Sequence, residues 1–244
     1  MTTRNRWTFD QTSGSLTSSN YLFSDSGNFS ISGNSITAFS NASPPKYGTG
    51  FLYSGYNSSS TIYCALNIGT NLATSSLVFP STATVYFDCY FYISGLSSAQ
   101  AGFMPFSDFY FSHQGPVITG GRGIGLVNAS GIFPSGATAA ETIPLNEWFR
   151  VQCVVVNGNL RGSNIKVYTG VNINSDTPAF TAPGTTDLTV SSAYTALFVN
   201  RSFSGTSSQT IWMDDLIISR TPISRVGYDS TPYVSYGPSI KRGI

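Results

Sequence analysis

A chain of 244 residues with a formal net charge of +1 has room for one large β-sandwich or barrel, and gives no electrostatic case for nucleic acid or an anionic membrane surface. Apolar residues make up 41% and aromatics 14%, enough for a sizeable core, whereas charged residues reach only 9%, against about 25% in an average soluble domain. Between Asp25 and Asp88 the one charged residue is Lys46, so the surface rests on Ser, Thr, Asn and Gly, or is covered by partners.

The opening run Met1 to Trp7 lacks the apolar core of a signal peptide, and no stretch reaches the roughly 18 consecutive apolar residues of a membrane helix. Neither an export signal nor a membrane span is expected. Short strands are expected over 35–40 and 61–66, separated by turn signals such as Ser32-Gly33-Asn34 and Pro44-Pro45. The first long signal is 85–93. Val85, Phe87, Cys89, Phe91 and Ile93 alternate with Tyr86, Asp88, Tyr90 and Tyr92, the period of a strand with one face in the core. Tyr86, Tyr90 and Tyr92 fall on the opposite face, where aromatic rings stack on sugars or fill a protein interface. The run Phe106-Ser107-Asp108-Phe109-Tyr110-Phe111 adds to that stock.

The glycine-rich Gly120-Gly121-Arg122-Gly123-Ile124-Gly125 invites comparison with a phosphate loop, but such loops feed a helix, and here the pattern continues as a strand over 124–127. A second long strand is expected over 148–156, with Phe149, Val151, Cys153 and Val155 inward. It ends at the turn dipeptide Asn157-Gly158, which should fold a hairpin onto a strand at 165–168. Strands are further expected over 196–200 and 211–219. No segment sustains a 3.6-residue apolar period, so little helix is expected. Cys64, Cys89 and Cys153 form no disulfide or zinc pattern, and Cys89 and Cys153 lie on apolar strand faces as buried thiols.

Catalytic signals are sparse. The glutamates are Glu141 and Glu147, the single histidine is His113, and no nucleophile elbow surrounds a serine. Asp214 and Asp215 are adjacent in a strand, so alternation sends them to opposite faces and denies them the paired geometry of a glycosidase. Asp214 shares its parity with Leu216 and Ile218 and therefore turns toward the core. Its carboxylate either caps a neighbouring loop as a structural group or ligates calcium. No catalytic residue, metal site or other cofactor is assigned.

The runs Asn146-Glu147-Trp148-Phe149-Arg150-Val151-Gln152, Ile165-Lys166-Val167-Tyr168 and Ile211-Trp212-Met213-Asp214-Asp215-Leu216-Ile217-Ile218-Ser219 resemble, in order and content, three strands of the concanavalin A-like lectin/glucanase (laminin-G-like) jelly rolls. Gly27 to Ile36 resembles the family's opening, so the likeness spans roughly residues 7–220. It implies an all-β fold, a two-sheet antiparallel jelly-roll sandwich with one convex and one concave face. The family holds lectins, glycosidases, lyases and bacteriophage virion proteins. This chain lacks the Glu-x-Asp-x-Glu run of the glucanases and an evident Asp, Asn and His cluster for lectin metals.

After Pro222 the chain turns to Gly, Pro, Tyr and Ser without strand alternation. A sandwich over 1–221 and an extended C-terminal arm over 222–244 are therefore expected. Tyr228, Tyr233, Tyr236, Lys241 and Arg242 are the arm's candidate partner-binding residues. The first functional expectation is a non-enzymatic phage virion component, a capsid decoration (cement) or head or tail accessory protein assembled in the host cytoplasm. Its partners would be a major capsid or tail protein and further copies of itself. The alternative is a carbohydrate-binding module or adhesin that takes a cell-surface glycan.

Overall fold

A computed structural model describes residues 4–7, 14–15, 29–32, 36–39, 51–56, 62–66, 84–94, 101–104, 115–118, 124–127, 143–157, 159–182, 188–189, 196–202 and 209–227. The strands open with β1 (Arg4–Trp7), β2 (Gly14–Ser15), β3 (Phe29–Ser32), β4 (Ile36–Phe39), β5 (Phe51–Tyr56) and β6 (Ile62–Leu66). Next come β7 (Thr84–Ser94), β8 (Ala101–Met104), β9 (Gly115–Ile118), β10 (Ile124–Val127) and β11 (Trp148–Val156). The chain continues with β12 (Asn159–Leu160), β13 (Ile165–Thr169), β14 (Phe180–Thr181), β15 (Leu188–Thr189), β16 (Ala196–Ser202) and β17 (Gln209–Ser219). Helix among the described residues is confined to two 3-10 turns, Gly162–Asn164 and Gly170–Asn172.

The strands form two antiparallel sheets. The larger runs β14-β13-β11-β7-β17-β5-β4-β2, with β1 also on β17 and β12 joining β11 to β15; the smaller runs β10-β9-β8-β16-β6-β3. The strands expected over 85–93, 148–156, 165–168 and 211–219 become β7, β11, β13 and β17, four neighbours at the centre of the large sheet. The chain is thus an all-β, two-sheet antiparallel sandwich. The glycine-rich stretch 120–123 connects β9 to β10, which pair antiparallel from Ile118 opposite Ile124, so a strand follows it and no helix.

Alternation decides what the central strands bury. Val85, Phe87, Cys89, Phe91 and Ile93 of β7 lie beside Phe149, Val151, Cys153 and Val155 of β11 and Ile165 and Val167 of β13, every one nearly or fully excluded from solvent. Phe91 and Phe149 pack with ring centroids 5.9 Å apart. Leu216 is buried as expected. The side chain of Ile218 lies outside the described residues, although its backbone stands opposite Phe87.

One expected connection differs in detail. The turn at Asn157 does not fold straight onto β13. Val156 pairs with Asn159, so the tight turn closes on the two-residue β12, and β13 joins β11 only after the 3-10 turn, from Ile165 opposite Cys153. Asn157 takes φ +50°, a left-handed conformation that asparagine tolerates better than most side chains.

Candidate functional site: the outer face of the large sheet

The face of β7, β11 and β13 that turns away from the apolar core carries Tyr86, Asp88, Tyr90 and Tyr92, then Trp148, Arg150, Gln152 and Val154, then Lys166 and Tyr168. Register sets them side by side: Tyr90 opposite Arg150, Asp88 opposite Gln152, Arg150 opposite Tyr168. A polar outer face of a sheet ordinarily meets water. Here its middle is fully buried: Asp88, Tyr90 and Arg150 have no exposed surface, and Gln152 and Tyr168 have almost none.

Two segments cover it. The stretch after the second 3-10 turn brings Asn174, whose Oδ1 accepts from the Tyr90 hydroxyl at 2.5 Å, and Ser175, whose carbonyl accepts from Arg150 Nη2 at 2.8 Å. The stretch after β17 brings Ile223, whose carbonyl accepts from Gln152 Nε2 at 3.1 Å, and Arg225. Arg225 Nε donates to Asp88 Oδ1 at 2.8 Å, its Nη1 pairs with Asp215 Oδ2, and its Nη2 donates to the Asp215 carbonyl at 2.9 Å. The other Asp88 oxygen accepts from Gln152 Nε2 at 3.1 Å and faces Arg150 Nε at 3.6 Å. The guanidinium carbon of Arg150 sits 3.7 Å from the Tyr168 ring centroid, and that of Arg225 sits 4.8 Å from the Tyr90 ring. Each cation therefore has a carboxylate and an aromatic face, the pairing that a buried charge requires. Burial raises the Tyr168 hydroxyl pKa, with Arg150 pulling against it.

The bulge in β17 overturns the expected placement of the two aspartates. Asp214 stands opposite Tyr90, but Ile217 stands opposite Asp88, so two residues, Asp215 and Leu216, oppose Cys89 alone. Asp215 absorbs the extra residue at φ +50°. Alternation fails across it, and Asp214 takes the face of Tyr90 rather than the core face. Asp215 is not sent to solvent either: both carboxylates are fully buried, and that of Asp215 is paired with Arg225. The bulge lies where β17 changes its second neighbour from β5, paired through Met213, to β1, paired from Leu216. Among the described residues no group of three or more His, Cys, Asp or Glu is arranged to hold a metal ion.

The three tyrosines of β7 do not make one platform. Tyr90 is corrected from a stacking residue to a buried one, because its ring lies under Arg225 and its hydroxyl is held by Asn174. Tyr86 and Tyr92 are half-buried, on either side of the covered patch and about 20 Å apart along the strand. Tyr92 packs edge-on against Trp148, which is also half-buried, with ring centroids 5.6 Å apart. Trp148 belongs beside Tyr92 as a candidate; its parity in β11 and the antiparallel pairing were the available signals. Tyr228, Tyr233, Tyr236, Lys241 and Arg242 lie outside the described residues. The stretch assigned to the arm begins on its own sheet, since Ile223 and Arg225 are both buried there. Cys89 and Cys153 are free, buried thiols; Cys89 Sγ donates to the Asp214 carbonyl at 3.2 Å, and burial pushes both thiols well above their ordinary pKa.

No family model matches the chain, and no curated protein matches it in sequence. Solved structures match in fold. A protein of unknown function from Shewanella oneidensis MR-1 aligns over 91% of this chain and 89% of its own, at 12% identity and a TM-score of 0.56. Domain 4 of AbnA, a GH43 extracellular arabinanase from Geobacillus stearothermophilus solved in complex with arabinotriose, aligns over 93% of this chain and 97% of that domain, at 15% identity and a TM-score of 0.52. At such identities the likeness is one of fold alone, an antiparallel β-sandwich.

Proposed function

We propose that this chain is a non-enzymatic β-sandwich module that binds neutral carbohydrate. The observation that carries the reading is the division of the outer face. Asp88, Asp214, Asp215, Arg150 and Arg225 are drawn into a buried, ion-paired cluster, and the half-buried Tyr92 and Trp148 stand beside it. Lys166 alone of this face's described charges stays partly exposed, on the far strand β13. Rings with an apolar face and a polar edge suit the alternating C–H and O–H surfaces of a sugar, and an uncharged surround suits an uncharged ligand. The arabinanase domain of the same fold, solved with arabinotriose, supports the choice of ligand class. The test is a panel of soluble neutral polysaccharides in affinity electrophoresis, with reducing ends assayed in parallel. Retardation by at least one polysaccharide without release of reducing sugar is expected. No retardation by any of them, or steady release of reducing ends, overturns the proposal.

A second reading, a phage virion accessory protein docking on a capsid or tail protein, rests on the charge content of 9% and the almost uncharged stretch between Asp25 and Asp88. Such a surface favours association. It requires self-association of the purified chain in light scattering, and a monomer at all concentrations counts against it.

A further inference from the structure

The registers of four adjacent strands bring four aromatic residues into one line. Trp148 of β11 stands opposite Tyr92 of β7, Tyr92 opposite Trp212 of β17, and Trp212 opposite Tyr53 of β5. Residues directly opposite in antiparallel strands share a face, so Trp212 and Tyr53 hold the register positions that continue the outer-face row of Tyr92 and Trp148 across β17 and β5. Neighbouring strands lie about 4.8 Å apart, which makes the row about 14 Å long and perpendicular to the strands. Two of the chain's three tryptophans are in it.

What flanks the row defines its ligand. On one side, two residues along, come Arg150, Tyr90 and Asp214, all fully buried, with Arg150 and Tyr90 bonded to the covering loop at Asn174 and Ser175. That covering forms a wall. On the other side, two residues along, the register positions belong to Ser94, Thr210 and Gly55, all small and uncharged residue types. At the Trp148 end the exposed Asn146 contributes a neutral amide, its backbone N–H held by the Ile93 carbonyl at 2.8 Å. No charged residue is in the row or in the row beyond it.

Resting on the carbohydrate-binding reading, we infer that a neutral, extended glycan chain lies across the strands along Tyr53, Trp212, Tyr92 and Trp148, successive sugar rings meeting successive aromatic positions. Strong strand propensity and cross-strand packing also favour such residues, and that alternative predicts no ligand dependence.

The experiment begins with a neutral polysaccharide that retards the wild-type chain, and with its oligosaccharides of one to six units in calorimetry. Affinity should rise with length up to about four units, the reach of a 14 Å row, and then level off. Trp148→Ala and Tyr92→Ala should each weaken binding at least ten-fold, whereas Tyr92→Phe, which keeps the ring, and Lys166→Ala, outside the row, should leave it within two-fold. Should an alanine variant not fold, oxidation of the wild-type tryptophans by N-bromosuccinimide supplies the answer: saturating glycan should protect Trp148 and Trp212. Binding that survives the alanine changes, or no protection of Trp148 and Trp212, overturns the row as the site while leaving the module a carbohydrate binder. A wild-type chain that binds no neutral glycan overturns both.

Discussion

Arg225 is the residue on which the outer face turns. It reaches Asp88, the Asp215 carboxylate and the Asp215 carbonyl, and its guanidinium also lies over Tyr90. Replacing it breaks the buried Asp215 pair and leaves Asp88 with only Gln152 and Arg150, and breaking one side of a buried pair costs about 3–5 kcal/mol. Arg225→Leu is therefore expected to lower unfolding free energy by that order in urea titration, and a change under about 1 kcal/mol would show that the cluster is not a clamp. The two thiols lead to a prediction in pH. Cys89 and Cys153 stay protonated in the folded chain well above the ordinary value of 9.0, because burial disfavours the thiolate. The unfolded chain ionises them near that value and so binds fewer protons. Their stabilisation is complete below it and is lost as pH rises past it, by up to about 1.4 kcal/mol per pH unit for each thiol. The Cys89→Ala, Cys153→Ala double variant should show a shallower alkaline decline in urea midpoint than the wild type, and equal slopes refute the claim.

Among the elements, those legible in the sequence were the ones whose two faces differ in chemistry. β7 and β11 each alternate over nine residues, and their expected inward sets, Val85 to Ile93 and Phe149 to Val155, are the buried sets observed. The bulge in β17 was not legible. The run from Ile211 to Ser219 reads as one uninterrupted strand, and nothing in it marks Asp215 for φ +50°. The cause lies in the tertiary arrangement, where β17 must exchange β5 for β1 as its neighbour, and a register change between partners is invisible to periodicity within one strand. The burial of Asp88 and Arg150 was hidden for a similar reason. Their parity places them on an outer face, and only the return of residues 173–175 and 223–225 takes that face out of water. The aromatic row belongs to the same class of hidden feature: Tyr92, Trp148 and Trp212 fall in strands expected from the sequence, Tyr53 falls in β5, which was not expected, and their alignment depends on three pairings at once.

At the scale of the molecule, contacts with the large sheet continue past Pro222, where the arm was expected to begin. Composition changes at Pro222, but burial does not end there. Ile223 is buried at 6% exposure, and its carbonyl binds the same Gln152 that holds Asp88; Arg225 closes the cluster two residues later. Losing a buried isoleucine side chain forfeits about 1.5–3 kcal/mol, and losing the arginine about 3–5 kcal/mol. Together they rival the whole stability of an ordinary domain, about 5–15 kcal/mol. Two truncations separate these effects. Removing 223–244 takes Ile223 and Arg225, and the product should melt far below the wild type or fail to fold. Removing 228–244 takes Tyr228, Tyr233, Tyr236, Lys241 and Arg242 but keeps the clamp, so it should melt well above the longer deletion. The shorter deletion should also retain polysaccharide retardation, because every position of the aromatic row precedes it. Under the virion reading it should instead lose self-association, since the tyrosines and the basic pair proposed for docking are gone. Equal melting of the two products would show that residues 223–227 contribute nothing to the sandwich, and loss of retardation in the shorter deletion would move the glycan site away from the large sheet.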